Sequence, residues 1–202
     1  MRRYCIKASY QHREEVPHFD DTPFKDEFQR LVYEYAHTKT YEQIKSVVDV
    51  GCGSGYKLLH FFGHLQTVGV DVPRTVAWLR ANKESRTWVE VGNAIPDMEG
   101  PTLVICSDVI EHVVEPDQFL EYLYALKGDV YVLSTPDRDL VDAGISDGPP
   151  RNIHHVREWN HDELIEYVSG RFEVVDSVRR ATTIVNMRRK HVDISSRYWP
   201  RI

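Results

Sequence analysis

The sequence predicts an α/β protein built on a doubly wound sheet, mostly parallel with an antiparallel C-terminal strand. Short apolar segments alternate with helix-like segments over residues 46–134, and this alternation is typical of parallel strands joined by crossover helices. The segments 172–178 and 181–187 alternate apolar and polar residues across a short turn, which predicts an antiparallel pair at the end of the sheet. In such sheets, ligands bind at the carboxyl ends of the strands.

The individual elements are predicted from the local period of apolar residues and from the Gly, Pro and capping residues that bound them. The strands of the parallel part are predicted at 46–50, 67–70, 88–91, 103–106 and 129–134. The helices between and after them are predicted at 56–62, 74–81, 116–126 and 160–168. Residues 92–101 are too few and too rich in Gly and Pro for a crossover helix, so a loop is predicted there. The long loop that follows residue 134 has a length that usually indicates function.

The N-terminal region is predicted to lie outside the core. Residues 1–22 are polar, have no apolar period and form an extended arm in this interpretation. Thr22 and Pro23 then mark the start of an amphipathic helix, whose apolar residues recur at three- and four-residue steps as far as Ala36. We therefore divide the chain into an arm and helix packed on the core at 1–45, a core domain at 46–190 and a basic tail at 191–202.

Composition limits the class of protein. With 202 residues, 42% hydrophobic and 28% charged, the chain suits one domain with a sizeable core. No apolar run approaches the roughly 20 residues of a membrane helix, and no apolar segment follows the basic start, so neither a membrane span nor a secretory signal is predicted. Cys5, Cys52 and Cys106 form no Cys-x-x-Cys pair, which indicates free thiols in a reducing compartment, and a cytoplasmic protein is expected.

The charge distribution bears on possible partners. A net charge of -6 argues against a protein that binds nucleic acid, because such domains usually have a basic balance. Residues 171–202 hold eight Lys and Arg against three acidic residues. An anionic substrate or partner could bind this basic C-terminal segment, although charged residues at a chain end are more often solvated surface.

A glycine-rich loop carries the first functional signal. Gly51, Gly53 and Gly55 lie between the first strand and its helix, where missing side chains permit a tight turn and backbone contact with a ligand. Asp71 ends the second strand, where a carboxylate can accept hydrogen bonds from two ribose hydroxyls. Together they predict an adenosine-type cofactor. Tyr56 stands where a dinucleotide loop needs its third glycine, which disfavours NAD.

Three sequence segments carry a family resemblance. They are Val47-Val-Asp-Val-Gly-Cys-Gly-Ser-Gly55, Val68-Gly-Val-Asp71 and Cys106-Ser-Asp-Val-Ile-Glu-His-Val113. As a set they resemble the class I S-adenosylmethionine-dependent methyltransferases, over roughly residues 46–178. The resemblance implies a Rossmann-like sheet, S-adenosylmethionine as cofactor and S-adenosylhomocysteine as product. The segments 134–138 and 155–159 are similar to a bacterial subgroup often associated with glycan biosynthesis.

The resemblance also implies which residues hold the cofactor. They are Asp49, Gly51, Cys52, Gly53, Lys57, Asp71, Val72, Asn93, Ala94, Ser107 and Asp108. In this interpretation Asp49 and the glycines line the methionine part, Asp71 holds the ribose, and Val72, Asn93 and Ala94 meet the adenine. Ser107 and Asp108 make the contact after the fourth strand. Lys57 could pair with the cofactor carboxylate or be a surface residue, and Tyr10, His12 and Arg13 could fold over the cofactor or belong to a disordered arm.

The candidate catalytic and acceptor-binding residues follow the fourth and fifth strands. His112 is the first candidate for a general base, with a capping or packing histidine as the alternative, and Glu111 beside it is expected to be a structural hydrogen-bonding group. His155, a second catalytic candidate, belongs with His154 to a loop that offers bases, cations and an aromatic face. Arg151, Arg157 and Trp159 are its candidate substrate contacts, suited to a sugar or a carboxylate. A metal site built from His112, His154, His155 and acidic residues is conceivable, since some O-methyltransferases use Mg²⁺, but no ligand spacing demands it and no metal is expected.

These observations predict methyl transfer to oxygen on a small-molecule or sugar/glycan acceptor. One alternative is an N-methyltransferase acting on an amino sugar or amine, which needs an acid to orient the amine and no strong base. Another is a non-catalytic module that binds S-adenosylmethionine and serves as a partner for an enzyme. Nucleic-acid methylation is favoured only by the basic tail. The sequence does not predict the oligomeric state.

Overall fold

A computed structural model of the chain describes residues 27–40, 42–141, 150–180 and 182–190. The helices are α1 Glu27–Thr40, α2 Tyr56–Phe62, α3 Pro73–Asn82, α4 Pro116–Ala125, α5 Arg138–Val141 and α6 His161–Val168. The strands are β1 Ser46–Val50, β2 Gln66–Asp71, β3 Thr87–Glu90, β4 Thr102–Ser107, β5 Val130–Pro136, β6 Phe172–Arg179 and β7 Thr182–Arg189. The predicted arm with Tyr10, His12 and Arg13, and the predicted tail, lie outside the described residues.

The seven strands form one sheet in the order β3-β2-β1-β4-β5-β7-β6. The pairs from β3 to β5 are parallel, whereas β7 is antiparallel to both β5 and β6. This confirms the predicted mostly parallel sheet with an antiparallel C-terminal strand. The predicted hairpin does not simply extend the edge: β7 lies between β5 and β6, so the last strand of the described residues is interior and β6 is the edge.

The sheet order places the ligand-binding edge. The chain moves outward from β1 through β2 to β3 and then returns to β4 on the other side of β1. The strand order therefore reverses between β1 and β4, and in open α/β sheets the crevice beyond the carboxyl ends of the strands at that point binds ligands. The loop after β1 and the segment after β4 meet there.

Two apolar layers cover the sheet. β1 and β4 are buried along their whole length, as expected for central parallel strands that read as continuous apolar runs. On one face, buried side chains of α1, α2 and α3 join strand residues such as Val47 and Leu103 in one cluster. On the other face, α4 and α6 cover Val48 and Val104. Both faces of the sheet are therefore covered by apolar side chains.

The connections differ from a regular alternation in two places. Residues 92–101 contain no helix, as predicted, and leave a groove against α4. The short helix α5 after β5 was not predicted, since four residues are too few to show a helical period. Within the described ranges, none of the helices combines the length and apolar character that crossing a membrane requires.

Candidate active site

The loop after β1 has a shape that glycine makes possible. Gly51, Gly53 and Gly55 all have positive φ, at 79°, 54° and 68°, a region where other residues are strained. A Cβ on Gly51 would lie 2.3 Å from Cγ2 of Val109, whereas a Cβ on Gly53 would have no atom within 4 Å. Gly51 therefore lets the segment after β4 pack against the loop, and Gly53 faces open space where a ligand can approach the backbone.

Asp71 joins the end of β2 to this loop. Its Oδ2 accepts a hydrogen bond from the backbone N–H of Gly53 at 2.8 Å, and its Oδ1 accepts from the N–H of Val72 at 2.7 Å. A carboxylate offers about four acceptor positions on its two oxygens, so these two bonds do not exhaust it. The carboxylate thus fixes the glycine loop and lies at the same edge of the sheet.

Two polar residues expected to meet the cofactor are buried beside the loop. Asp49 on β1 is fully buried, and its Oδ2 accepts a hydrogen bond from the Tyr33 hydroxyl of α1 at 2.8 Å. Lys57 in α2 is only 6% exposed, so it is not a plain surface residue. The contact between Tyr33 and Asp49 has no local signal in the sequence, because the two residues belong to separate elements. Asp49 is therefore held by α1 as well as by its strand.

Cys52 is an inert part of the same loop. Its side chain is buried, and burial raises the pKa of the thiol well above the ordinary value, with the nearby carboxylates of Asp49 and Asp71 adding to the effect. A thiol with a raised pKa stays protonated and is a poor nucleophile. Cys52 therefore contributes packing rather than reactivity.

Asp108 continues from β4 in an unusual backbone conformation. Its φ is 52°, which aspartate tolerates better than most residues. The Ser134 hydroxyl of β5 donates to its Oδ1 at 2.8 Å, and its own N–H donates to the Ser134 carbonyl at 3.2 Å. Ser107, the last residue of β4, is buried beside them. These bonds turn the chain at the carboxyl edge and lead it into one turn of 3₁₀ helix at residues 110–112.

Glu111 lies in that turn and is 1% exposed. Its Oε2 accepts a hydrogen bond from the Thr135 hydroxyl at 3.0 Å, and its carbonyl accepts from the Val156 N–H at 2.7 Å. Burial raises the pKa of Glu111 well above its ordinary value, and the carboxylate of Asp108 raises it further. Glu111 is thus a buried group that joins the segment after β4 to Thr135 of β5 and to Val156 in the loop before α6.

The two candidate histidines lie against each other. The rings of His112 and His155 meet edge to face with centroids 4.9 Å apart, although 42 residues separate them in the sequence. Nδ1 of His112 is 2.9 Å from the backbone carbonyl of His154, and its side chain is 23% exposed. The His155 ring is buried, with Nδ1 2.5 Å from Oε1 of Glu158 and Nε2 2.9 Å from Nδ2 of Asn152. His112 is therefore the more accessible of the two.

Sequence reasoning missed Glu158. The residue is 8% exposed, and its carboxylate holds the His155 ring from a position three residues further along the chain. The spacing to His155 was the available signal, but in a loop a three-residue separation has no fixed geometry. The structure therefore adds one carboxylate to the predicted histidine pair.

The three candidate acceptor contacts are not brought to one open surface. Arg151 is exposed, whereas Arg157 is buried and donates from Nη2 to the Val114 carbonyl at 3.0 Å. Trp159 is 1% exposed and stacks on Tyr167 of α6, with ring centroids 5.7 Å apart. The Trp159 ring is thus packed into the core in this structure and presents no open face to a sugar. A direct substrate contact by any of the three stays a prediction.

The predicted adenine contacts lie at a groove. Asn93 and Ala94 are exposed just beyond β3 and line a cavity of about 640 Å³ between the 92–101 connection and α4. Tyr122 and Leu126 of α4 lie on its opposite wall. Val72, which follows β2, is partly exposed. The absence of a helix from residues 92–101 leaves this side of the site open.

Comparison with known proteins defines the family. A family model described as a methyltransferase domain matches residues 17–187, and the chain belongs to this family. It is a class I S-adenosylmethionine-dependent methyltransferase, as the sequence segments around Gly51, Asp71 and His112 indicated. A search of curated proteins returned no match.

Solved structures share the fold at low identity. The 1,6-didemethyltoxoflavin-N1-methyltransferase of Burkholderia thailandensis, bound to 1,6-didemethyltoxoflavin and S-adenosylhomocysteine, is 20% identical with a TM-score of 0.61 over 86% of this chain and 84% of that chain. The PH0226 protein of Pyrococcus horikoshii OT3 is 16% identical with a TM-score of 0.63, covering 88% and 100%. The N-methyltransferase NodS of Bradyrhizobium japonicum WM9, in complex with S-adenosylhomocysteine, is 14% identical with a TM-score of 0.57, covering 88% and 93%. At these identities the similarity establishes the fold.

Proposed function

We propose that the chain transfers the methyl group of S-adenosylmethionine to an oxygen atom of a small-molecule or sugar/glycan acceptor. The observation that carries this proposal is the close approach of Val109 to Gly51, where an added Cβ would overlap Cγ2 of Val109 at 2.3 Å. The contact joins the glycine loop to the segment that leads to His112. A partly exposed histidine thus lies one 3₁₀ turn from the loop that we assign to the cofactor.

We assign the cofactor along the carboxyl edge in the order of the strands. Asp49, Gly51, Cys52 and Gly53 line the methionine part after β1, with Lys57 as the partner of its carboxylate. Asp71 accepts the ribose hydroxyls after β2, and Val72, Asn93 and Ala94 flank the adenine. Ser107 and Asp108 close the site after β4. The open space in front of Gly53 supports this assignment, because the backbone there is accessible to a ligand.

His112 is the proposed general base. A carbonyl oxygen only accepts hydrogen bonds, so Nδ1 of His112 carries the hydrogen toward His154, and in the neutral ring Nε2 keeps a lone pair. The acceptor oxygen attacks the methyl carbon, the carbon–sulfur bond breaks and S-adenosylhomocysteine leaves, while the hydroxyl proton passes to Nε2. Because the sulfonium is already activated, the protein mainly aligns the acceptor for in-line attack and excludes water.

His155 acts in this proposal through its neighbour. Its ring is held by Glu158 and Asn152, and its edge-to-face contact limits how far the His112 ring can turn. His155 is therefore proposed as a positioning residue.

N-methylation is the second candidate. Asp108 is partly exposed just after β4, and a carboxylate can orient an amine for attack without a strong base. Mass-spectrometric assignment of the methylated atom in the product distinguishes the two candidates.

Binding of S-adenosylhomocysteine is the first expected result. At about 100 times its dissociation constant a ligand adds about 2.7 kcal/mol to the free energy of unfolding, and for a chain of this length that raises the Tm by about 5–11 °C. Thermal unfolding with S-adenosylhomocysteine, S-adenosylmethionine and NAD in parallel measures it. A shift with NAD and none with the S-adenosyl ligands would contradict the cofactor assignment.

A His112→Ala variant separates chemistry from cofactor binding. We expect kcat for methyl transfer to fall by about 10²–10⁴-fold, the range for loss of a general base, while the affinity for S-adenosylhomocysteine stays within about twofold. The assay follows labelled methyl from S-adenosylmethionine into a panel of hydroxyl acceptors that begins with nucleotide sugars. His161→Ala is the control, because His161 begins α6 and its ring contacts Asp162 and Ser177 instead of His155. Full turnover by His112→Ala would remove this histidine from the mechanism.

A further inference from the structure

We infer that Glu111, His112 and His155 form a binding site for one divalent first-row transition-metal cation beside the proposed acceptor position. Each of these residues offers one ligand atom, and the three atoms all lie within 4.8 Å of one another. A carboxylate oxygen and two imidazole nitrogens that converge in this way can coordinate one ion after small side-chain adjustments. No spacing in the sequence indicated the site, because its second histidine comes from a distant loop.

The hydrogen bonds around the two rings match those of metal-binding histidines. A ligating histidine usually donates its other N–H to a carbonyl or a carboxylate, which fixes the tautomer and orients the ring. Nδ1 of His112 is 2.9 Å from the carbonyl of His154, and Nδ1 of His155 is 2.5 Å from Oε1 of Glu158. Both rings are thus held through Nδ1, so Nε2 of each ring is the atom that would coordinate a cation.

One side chain must move for both Nε2 atoms to coordinate. The amide nitrogen of Asn152 is 2.9 Å from Nε2 of His155. Asn152 is exposed, so its side chain can turn away from His155, and this turn also gives up the hydrogen bond that its Oδ1 accepts from the His154 N–H at 3.0 Å. A metal bond at Nε2 of His155 would replace the contact with Asn152.

The second oxygen of Glu158 provides an independent observation. The Glu158 side chain is 3% exposed, and its Oε2 is buried without a hydrogen-bond partner. The ion-pair partners that the structure describes for Glu111 and Glu158 are both histidines. A buried carboxylate oxygen without a partner is costly, and a cation bound to the His155 ring would balance the charge of Glu158 through that ring.

The donor set selects the class of cation. Two imidazole nitrogens and one carboxylate suit Mn²⁺, Fe²⁺, Co²⁺ or Zn²⁺ better than Ca²⁺ or Mg²⁺, which prefer oxygen ligands. The partly exposed His112 leaves one side of the site open to a further ligand, either water or the acceptor oxygen. Coordination of the acceptor oxygen by the cation rests on the proposed function, and it would make His112 a metal ligand in place of a general base. The binding of the cation itself does not depend on turnover.

Titration of the metal alone tests the site. The protein, freed of any affinity tag and treated with chelator, is titrated with Mn²⁺ by electron paramagnetic resonance and with Zn²⁺ by calorimetry. We expect at least one of the two ions to bind saturably at one per chain. Glu111→Gln and His155→Asn are expected to weaken that binding by at least about 10-fold, and Glu158→Gln by about 10–100-fold, the range for groups that orient a ligand. His161→Ala, which removes a histidine that also contacts a carboxylate, is expected to leave binding unchanged.

The outcomes separate this inference from the proposed function. Absence of saturable binding of both ions to the wild-type protein would overturn the site. So would unchanged affinity in a Glu111→Gln variant whose thermal unfolding shows that it is folded. Normal binding of S-adenosylhomocysteine in the same preparations leaves the proposed cofactor assignment standing in either case, whereas its loss with intact metal binding contradicts that assignment alone.

Discussion

Replacing Asp71 with alanine is expected to weaken the affinity for S-adenosylhomocysteine by about 100-fold and to leave the chain folded. In the proposed arrangement the variant loses charge-assisted hydrogen bonds to the ribose, each worth about 1.5–3 kcal/mol, and 1.4 kcal/mol corresponds to a factor of ten. It also releases the N–H of Gly53, which the carboxylate now holds at 2.8 Å. Calorimetric titration of S-adenosylhomocysteine measures the first effect, and thermal unfolding shows that the fold persists.

Asp176→Ala is the matched control for this variant. Oδ2 of Asp176 on β6 accepts a hydrogen bond from the Tyr35 hydroxyl of α1 at 2.8 Å and pairs with Lys39 at 3.0 Å, so this aspartate also joins a strand to another element. It lies on the edge strand of the sheet and does not line the cavity beside Asn93 and Ala94. We expect a similar small loss of stability with unchanged ligand affinity. Equal weakening in both variants, or unchanged affinity in Asp71→Ala, would contradict the assignment of Asp71 to the ribose.

The local sequence could predict those elements whose conformation depends on residues close together in the chain. The strand β1, the glycines after it and the helix α2 follow one another directly, and each has its own signal: a buried apolar run, residues that tolerate positive φ and a change of period. The mostly parallel sheet follows from repetition of this unit. For the same reason the loop at 92–101 was predictable, because its length and composition exclude a crossover helix.

Contacts between distant segments could not be predicted from local signals. The position of β7 between β5 and β6 depends on pairing across more than 40 residues, as in the Leu133–Val185 register. The stacking of Trp159 on Tyr167 joins a loop residue to α6, and no local signal indicates this pair. The hydrogen bond between Tyr33 and Asp49 likewise depends on how α1 docks. In each case the deciding partner lies on another element.

Gly51 and Gly53 of the loop give the second large prediction, because they differ in what surrounds them. Gly51→Ala combines a φ of 79° with a Cβ 2.3 Å from Cγ2 of Val109. Left-handed backbone costs a non-glycine residue about 1–2 kcal/mol, and overpacking adds about 1–3 kcal/mol. We expect a loss of about 3 kcal/mol in the free energy of unfolding, which lowers the Tm by about 6–12 °C for a chain of this length.

Gly53→Ala is expected to lose less stability than Gly51→Ala and to lose affinity for the cofactor. Its φ of 54° lies within the left-handed region and its new methyl group would meet no protein atom within 4 Å, so stability falls by only the backbone cost of about 1–2 kcal/mol. The methyl group projects into the space that we assign to the cofactor. Affinity for S-adenosylhomocysteine should therefore fall by at least about 10-fold, although the free protein remains folded.

A double variant identifies the cause of the Gly51 effect. In Gly51→Ala/Val109→Ala, the truncation of Val109 removes the atom that the new Cβ would overlap. The free energy of unfolding of the double variant should therefore be about 1–2 kcal/mol higher than the sum of the two single losses predicts, which is a coupling typical of residues in contact. Urea unfolding of the four proteins gives this value. Strict additivity would show that backbone strain alone limits Gly51. It would also contradict the close packing of Gly51 against Val109, on which the proposed position of the acceptor depends.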